Sequence, residues 1–339
     1  MAQAVPRLTV VVLTWNEARN IGACLDALAR QTSKDFEVVV VDAASTDATA
    51  AIVREAHASF PVPLRLHVAA RRLSVGAARA LGVAMAAAPA VAFLSADAVA
   101  RGDWAEEALR GLEGADLVYG PQQHMPAAWT LGASVRGLRY HHFPTEAVGE
   151  PERAARLASH VNAAMRAEVP RHFPFGSDAA SSAVDDLLLA TRAVRAGRRA
   201  AFHPGMVVWH RDAATLRDEL RKDLREGLGW GAHVRELGWH RAVLAWAALL
   251  GLAVGWLVVA PGALPWLALL AVAAAPSARR AWRRRKEMPA RALVAGLVAS
   301  PACDLAFLGA YLRGLAAAAT RRQPTGGGRP RPEALEMQA

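Results

Sequence analysis

The chain has 339 residues, more than one domain's usual length, and a formal net charge of +10. Hydrophobic residues make up 53% of it, and its two cysteines, Cys24 and Cys303, exclude a disulfide scaffold and fit a reducing compartment. Much of the excess positive charge lies after residue 278, next to apolar segments, which suits anionic lipid headgroups; no aromatic platform or module for nucleic acid accompanies it.

The first elements set the class. Leu8 to Leu13 and Phe36 to Val41 are apolar runs without alternation, as parallel strands read when helices cover both faces. Between them, Glu17 to Arg30 places Ile21, Cys24, Leu25 and Leu28 on one helical face. The first strand runs into Thr14-Trp15-Asn16-Glu17 and the second into Asp42 and the turn Ala43 to Asp47. Ligands of open α/β sheets bind outside such carboxyl ends, so a polar small-molecule site is expected there. A helix from about Ala48 to Ala58 is expected to be capped by Ser45 or Thr46, and a strand to follow at Leu64 to Val68. Ser74 caps a helix from Val75 to about Ala87; Pro89 closes it, and a strand from Val91 to Leu94 ends in Ser95-Ala96-Asp97. A helix near Asp103 to Leu112 and a strand at Asp116 to Tyr119 come next.

Residues 121–180 read as loops with one helix, about Pro151 to His160. The adjacent pair His141-His142 lacks the spacing of a zinc pair. Val184 to Ala196 is a helix that opens on Asp185-Asp186 and stops at Gly197, and Met206 to Trp209 is a strand leading into His210. No secretory leader is expected from Met1 to Pro6.

After residue 212 the pattern changes. Residues 213–240 form a charged amphipathic segment suited to a membrane surface, whose Gly227, Gly229 and Gly231 follow no strand and so are no dinucleotide fingerprint. Residues 241–320 read as two or three transmembrane helices: Val243 to Ala260, the shorter Leu264 to Ala275 after the break at Pro261-Gly262, and Ala292 to Ala319. This last stretch carries Pro301, Asp304 and Arg313 and reads either as one span with its polar residues facing protein or as a re-entrant hairpin. The Arg279 to Lys286 block favours a cytoplasmic loop, and a single later crossing would put the arginine-bearing tail outside, which the positive-inside rule disfavours. Residues 321–339 read as a disordered tail.

Taken together, the motifs of residues 8 to 212 resemble the family 2 glycosyltransferases, which have the GT-A fold. Thr14-Trp15-Asn16-Glu17 resembles their T-x-N-E turn. Asp42 to Asp47 resembles V-D-D-G-S-T-D with Ala43 and Ala44 in place of Asp and Gly. Gly76 to Arg79 resembles the start of G-x-x-x-A-R-N. Ser95-Ala96-Asp97 stands where D-x-D belongs, Asn162 to Arg166 resembles an acceptor-side loop, and Asp185-Asp186 with Arg192 resembles E-D-x-x-L-x-x-R.

The resemblance implies an α/β, mostly parallel sheet flanked by helices and followed by C-terminal membrane helices. It also implies a cytoplasmic catalytic domain over residues 1–212 at the inner membrane, moving a sugar from a UDP or GDP sugar to a lipid-linked or glycan acceptor in cell-envelope, polysaccharide or glycolipid synthesis. Asp186 would be the base, with Asp185 beside it, in a single inverting displacement. Thr14, Asn16, Glu17, Asp42, Arg79, Ser95 and Asp97 would bind the donor, and Asp97 with His210 would hold a divalent cation, Mg or Mn. Ser95 removes one carboxylate from that metal motif, and Lys222 to Glu226 does not supply the Q-x-x-R-W of processive synthases. Two other classes stand beside this one: a non-catalytic membrane protein that binds nucleotide sugars, and a sugar-1-phosphate nucleotidyltransferase, which would want a glycine-rich basic loop after the first strand.

Overall fold

A computed structural model of the chain describes residues 5–125, 128–139, 144–176, 178–211 and 215–320. The expected zinc-incompetent pair His141-His142 and the expected disordered tail, 321–339, lie outside the described residues.

The first half alternates strand and helix: β1 (Leu8–Thr14), α1 (Ile21–Ala29), β2 (Phe36–Asp42), α2 (Thr49–His57), β3 (Leu64–Val68), α3 (Val75–Met85), β4 (Ala90–Ser95), β5 (Ala98–Ala100), α4 (Trp104–Gly111) and β6 (Leu117–Tyr119). β2 is buried at every residue and β1 at all but one, which is why both read as unbroken apolar runs: helices cover both faces. Ser74 caps α3 as expected, its Oγ accepting from the Ala77 N–H. α2 starts later than expected, at Thr49. Ser45 and Thr46 do not cap it, because both are drawn into a clasp with the preceding turn.

Between Gly120 and Val184 the chain is more ordered than its Pro and Gly content suggests. It forms β7 (Gln122–His124), α5 (Leu131–Arg139), α6 (Pro151–Ala155), β8 (Asn162–Arg166), α7 (Glu168–His172) and α8 (Ala179–Ser182). The segment Asn162 to Arg166, expected as an acceptor-side loop, is a sheet strand. The side-chain amide of Asn162 is buried, donating to the carbonyls of Pro121 and Met206 and accepting from Trp104 Nε1 at 2.8 Å. The remaining elements are α9 (Asp185–Arg195), β9 (Ala200–Phe202), β10 (Val208–His210), α10 (Leu216–Ala232), α11 (Val234–Leu237), α12 (Arg241–Val259), α13 (Ala263–Arg284) and α14 (Ala290–Thr320). α9 ends, as expected, on a glycine with positive φ: Gly197 at +85°.

The main sheet has seven strands in the order β3-β2-β1-β4-β8-β6-β9, parallel from β3 to β4 and with β8 running antiparallel between β4 and β6. A small second sheet, β5-β10-β7, stands beside the carboxyl end of β4. One core lies under α1, α2 and α4, and another under α3, α6 and α9.

The C-terminal region departs from the sequence expectation in two ways. The Arg279 to Lys286 block is not a loop, because α13 continues through Pro276 to Arg284. α14 runs unbroken through Pro301, so the hairpin alternative for this stretch falls away. The glycines of α10 do not face open space: Gly227 and Gly231 meet the backbone of α14, and Gly229 meets Ala180 and Val184. Among the described residues, α14 is the one helix long and apolar enough to cross a membrane by length and composition, and the apolar stretch Val243–Val259 is shorter.

Candidate active site

The parallel register brings three carboxyl ends into line. Thr14 pairs with Asp42 across β1 and β2, and Leu13 pairs with Ser95 across β1 and β4. Just past these ends two turns interlock. Asn16 adopts φ of +56° and its Oδ1 accepts from the Thr46 N–H at 2.8 Å, while its own N–H donates to Ser45 Oγ at 2.8 Å. Asp42 lies beneath them, fully buried, accepting from Thr14 Oγ1 at 2.9 Å, from the Ser45 N–H at 3.2 Å and from the Ser45 hydroxyl. Asn16 and Asp42 therefore shape the turns, and Thr14 and Glu17 face the space above. Ala44 holds φ of +61°, a left-handed conformation that disfavours a side chain with a Cβ.

A cavity of about 260 Å³ opens there. Thr14, Trp15, Glu17, Arg72, Arg79, Ser95 and His160 are among the residues that line it. The Arg72 guanidinium stacks 3.3 Å from the centre of the Trp15 ring. Burial pushes the Glu17 carboxyl above its ordinary value; the Asn20 side chain opposes this and the nearby Asp97 charge adds to it. Of the expected donor residues, the cavity wall unites Thr14, Glu17, Arg79 and Ser95.

Asp97 and His210, more than a hundred residues apart in the sequence, come to one point. The antiparallel pairing of β5 with β10 sets His210 opposite Ala98, and Arg211 N–H donates to the Asp97 carbonyl at 2.8 Å. His210 Nε2 then lies 3.0 Å from Asp97 Oδ1, to which the Ser95 hydroxyl also donates. Among the described residues no three His, Cys, Asp or Glu side chains gather as a metal site. One carboxylate and one imidazole nonetheless fit a divalent cation whose remaining positions are filled by diphosphate oxygens and water. Ser95 is a hydroxyl where a second carboxylate would add charge, and it is spent on orienting Asp97.

The acidic pair at the start of α9 is divided by its neighbours. Arg79 Nη1, from α3, donates to both oxygens of Asp185, 2.6 Å from Oδ2, and His160 Nδ1 lies 3.6 Å from Oδ1. Burial alone would raise Asp185, but the Arg79 charge and His160 hold it below the ordinary carboxylate range. Burial and the adjacent Asp185 charge push Asp186 up to about 7. Burial and the Arg79 charge push His160 down to about 4, so its imidazole is neutral, set between the rings of Phe93 and Phe175. The expected contact of Arg79 with a diphosphate is thus shared with a fixed partner.

Sequence reasoning missed His160, which precedes a strand that looked like a loop, and it missed the closure of Arg72 over Trp15. It also left the role of Arg192 open: Arg192 Nε donates to Glu236 Oε2 at 2.6 Å and ties α9 to α11.

The chain is similar to known glycosyltransferases. The glycosyl transferase family 2 profile matches residues 9–170. A PGL/p-HBAD biosynthesis glycosyltransferase of Mycobacterium bovis (strain BCG / Pasteur 1173P2) is 50% identical over 46 residues, 14% of this chain and 18% of that protein. Validoxylamine A glucosyltransferase of Streptomyces hygroscopicus subsp. jinggangensis is 52% identical over 52 residues, 15% of this chain and 12% of that protein. The match therefore spans less than a fifth of the length of either relative. Among solved structures, the mannosyltransferase PcManGT from Pyrobaculum calidifontis, in complex with GDP-Man and Mn2+, superposes with a TM-score of 0.55 at 20% identity, covering 91% of this chain and 87% of that one. S. aureus TarS 1-349 in complex with UDP-GlcNAc superposes at 0.52 and 14% identity, covering 89% and 91%.

Proposed function

We propose that the chain, whose residues 9–170 match the glycosyl transferase family 2 model, transfers a sugar from a UDP or GDP sugar to an acceptor hydroxyl by a single inverting displacement. The observation that carries the reading is the convergence, at the carboxyl ends of β1 and β4, of a cavity bearing Glu17 and Arg79, the Asp97–His210 pair at 3.0 Å and the divided carboxylates Asp185 and Asp186.

In the reaction the acceptor oxygen forms a bond to the anomeric carbon while the bond from that carbon to the diphosphate oxygen breaks and its electron pair leaves with the diphosphate. Asp186 takes the acceptor's proton. A carboxyl that titrates near 7 is suited to do so, ionised in a large fraction of molecules yet basic enough to accept a proton. Asp185, kept anionic by Arg79, does not compete for that proton. Thr14 and Glu17 would meet the nucleoside, with Trp15 and Arg72 closing over it. Asp97 and His210 would hold a divalent cation, Mg or Mn, which when bound neutralises charge on the leaving diphosphate.

A thermal-shift panel of UDP, GDP, ADP and CDP tests the donor half of this reading, with stabilisation by UDP or GDP expected. Asp97→Ala is expected to abolish divalent-ion dependence of donor binding. A chain stabilised by none of the four has no donor site of this kind.

The apolar helices after residue 240, with their flanking arginines, support placement at the inner membrane, catalytic domain facing the cytoplasm, and a lipid-linked or glycolipid acceptor. Transfer to soluble sugars only, independent of membranes, would sink the lipid acceptor.

A further inference from the structure

If the chain is held at a membrane, as proposed above, its folded form says which part enters. By composition the strongest candidate is α14, the one described helix that is long and apolar enough to cross. Its packing argues otherwise. The glycines of α10 meet α14 in step: Gly227 faces Phe307 and Ala310, and Gly231 faces Tyr311 and Gly314. The two helices therefore run parallel and in close backbone contact, as small residues four apart allow. α10 carries eight charged side chains between Arg217 and Glu226, of which Arg217, Arg221 and Arg225 are exposed. It cannot enter hydrocarbon, and α14 cannot cross without taking it along.

The other half of α14 is fastened as well. Gly296 packs on Ser134 and Leu138 of α5. Asp304 is paired with Arg139 of α5 at 3.4 Å and with Arg280 of α13, while Arg139 also pairs with Asp223 of α10.

The hairpin of α12 and α13 has the opposite character. From Ala242 to Ala278 there are 37 residues without a charge. Trp246 Nε1 donates to the Val272 carbonyl at 2.8 Å, joining the two helices. Beyond that bond Leu252, Val258, Leu264, Leu267 and Leu270 are exposed. From base to the Pro261-Gly262 turn, 19 helical residues reach about 28 Å, close to the thickness of a bilayer's hydrocarbon. At the base stand Trp282 and the exposed Arg279, Arg283 and Arg285, complementary to anionic headgroups.

We infer that an anionic lipid bilayer takes up the α12–α13 hairpin, and that α14 stays on the side of the catalytic domain, with Val294, Val298, Leu305 and Leu312 lying against the surface. The chain then enters and leaves the membrane on one side. This removes the conflict between a third crossing and the arginines that follow Thr320 in the sequence.

The test is labelling with a membrane-impermeant maleimide in sealed vesicles containing phosphatidylglycerol, using the full chain with single added cysteines. Cys24 and Cys303 are buried, so the wild-type chain supplies the background. Lys34→Cys marks the side of the catalytic domain. Thr320→Cys is expected to label together with it, and Gly262→Cys to remain unlabelled from that side. Thr320→Cys reacting only from the opposite side, or Gly262→Cys reacting together with Lys34→Cys, would overturn the inference. Failure of the wild-type chain to sediment with the vesicles would instead remove the membrane reading beneath it.

Discussion

At the scale of single residues, the neighbours of Asp185 and Asp186 give two identical side chains different chemistry. Arg79 and His160 face Asp185, whereas Asp186 is half-buried beside its charged neighbour. Asp186→Asn should lose nearly all transfer while UDP or GDP binding is retained; retained turnover would take the base role away from it. Transfer by the unaltered chain should rise with pH to a midpoint near 7 and fall about tenfold per unit below it. The same group affects stability. Its folded value of about 7 lies above the roughly 3.9 of an unfolded aspartate, so between those pH values the folded chain holds a proton that the unfolded chain releases. Stability should therefore decrease as pH rises from 4 to 7, and the unfolding temperature of Asp186→Asn should lack that part of the decline. Ala44 offers a separate case. At φ of +61° it bears a strain that glycine would not, so Ala44→Gly should stabilise the fold by about 1 kcal/mol in denaturant unfolding. The sequence flagged Ala44 as a departure, but its backbone conformation becomes visible only in the turn.

Among elements, the parallel strands were legible because burial on both faces leaves an unbroken apolar run. The 121–180 region was not, because its strands are only three to five residues long and its helices lack a sustained period. The glycine series of α10 shows a second limit. Its spacing could be seen, and excluded as a nucleotide loop, but its partner lies some eighty residues further on. Contact between Gly231 and Gly314 is a fact of tertiary structure. Gly231→Leu should force α10 and α14 apart and destabilise the chain by about 3 kcal/mol, the upper end of the range for overpacking in a tight interior. Arg139→Met should cost about 3–5 kcal/mol, since Asp223 and Asp304 would be left buried with one cation fewer. Arg217→Met on the exposed face of the same α10 should change stability by less than about 0.5 kcal/mol, which separates a packing effect from a general loss of positive charge.

For the whole molecule, the boundary that packing draws does not fall where hydropathy changes. Composition shifts near residue 241, yet α14 belongs by its packing to the side of α5 and α10, and only α12 and α13 project from it. Apolar composition reports what a helix avoids, water, without saying whether protein or lipid replaces it; α14 packs on protein along one face and leaves Val294, Val298, Leu305 and Leu312 exposed on the other. The consequence is a prediction about what can be removed. Replacing residues 243–275 with a short Gly-Ser linker leaves Ser277, Arg280 and Asp304 to fasten the end of α13, and leaves the α10–α14 seam and the cavity at the carboxyl ends of β1 and β4 intact. The shortened chain should appear in the soluble fraction and bind UDP or GDP within about twofold of the full chain, while transfer to a lipid-linked acceptor falls sharply. Aggregation together with loss of nucleotide binding would mean that the hairpin supports the fold. Continued sedimentation with vesicles at high salt would mean that α14 itself is inserted.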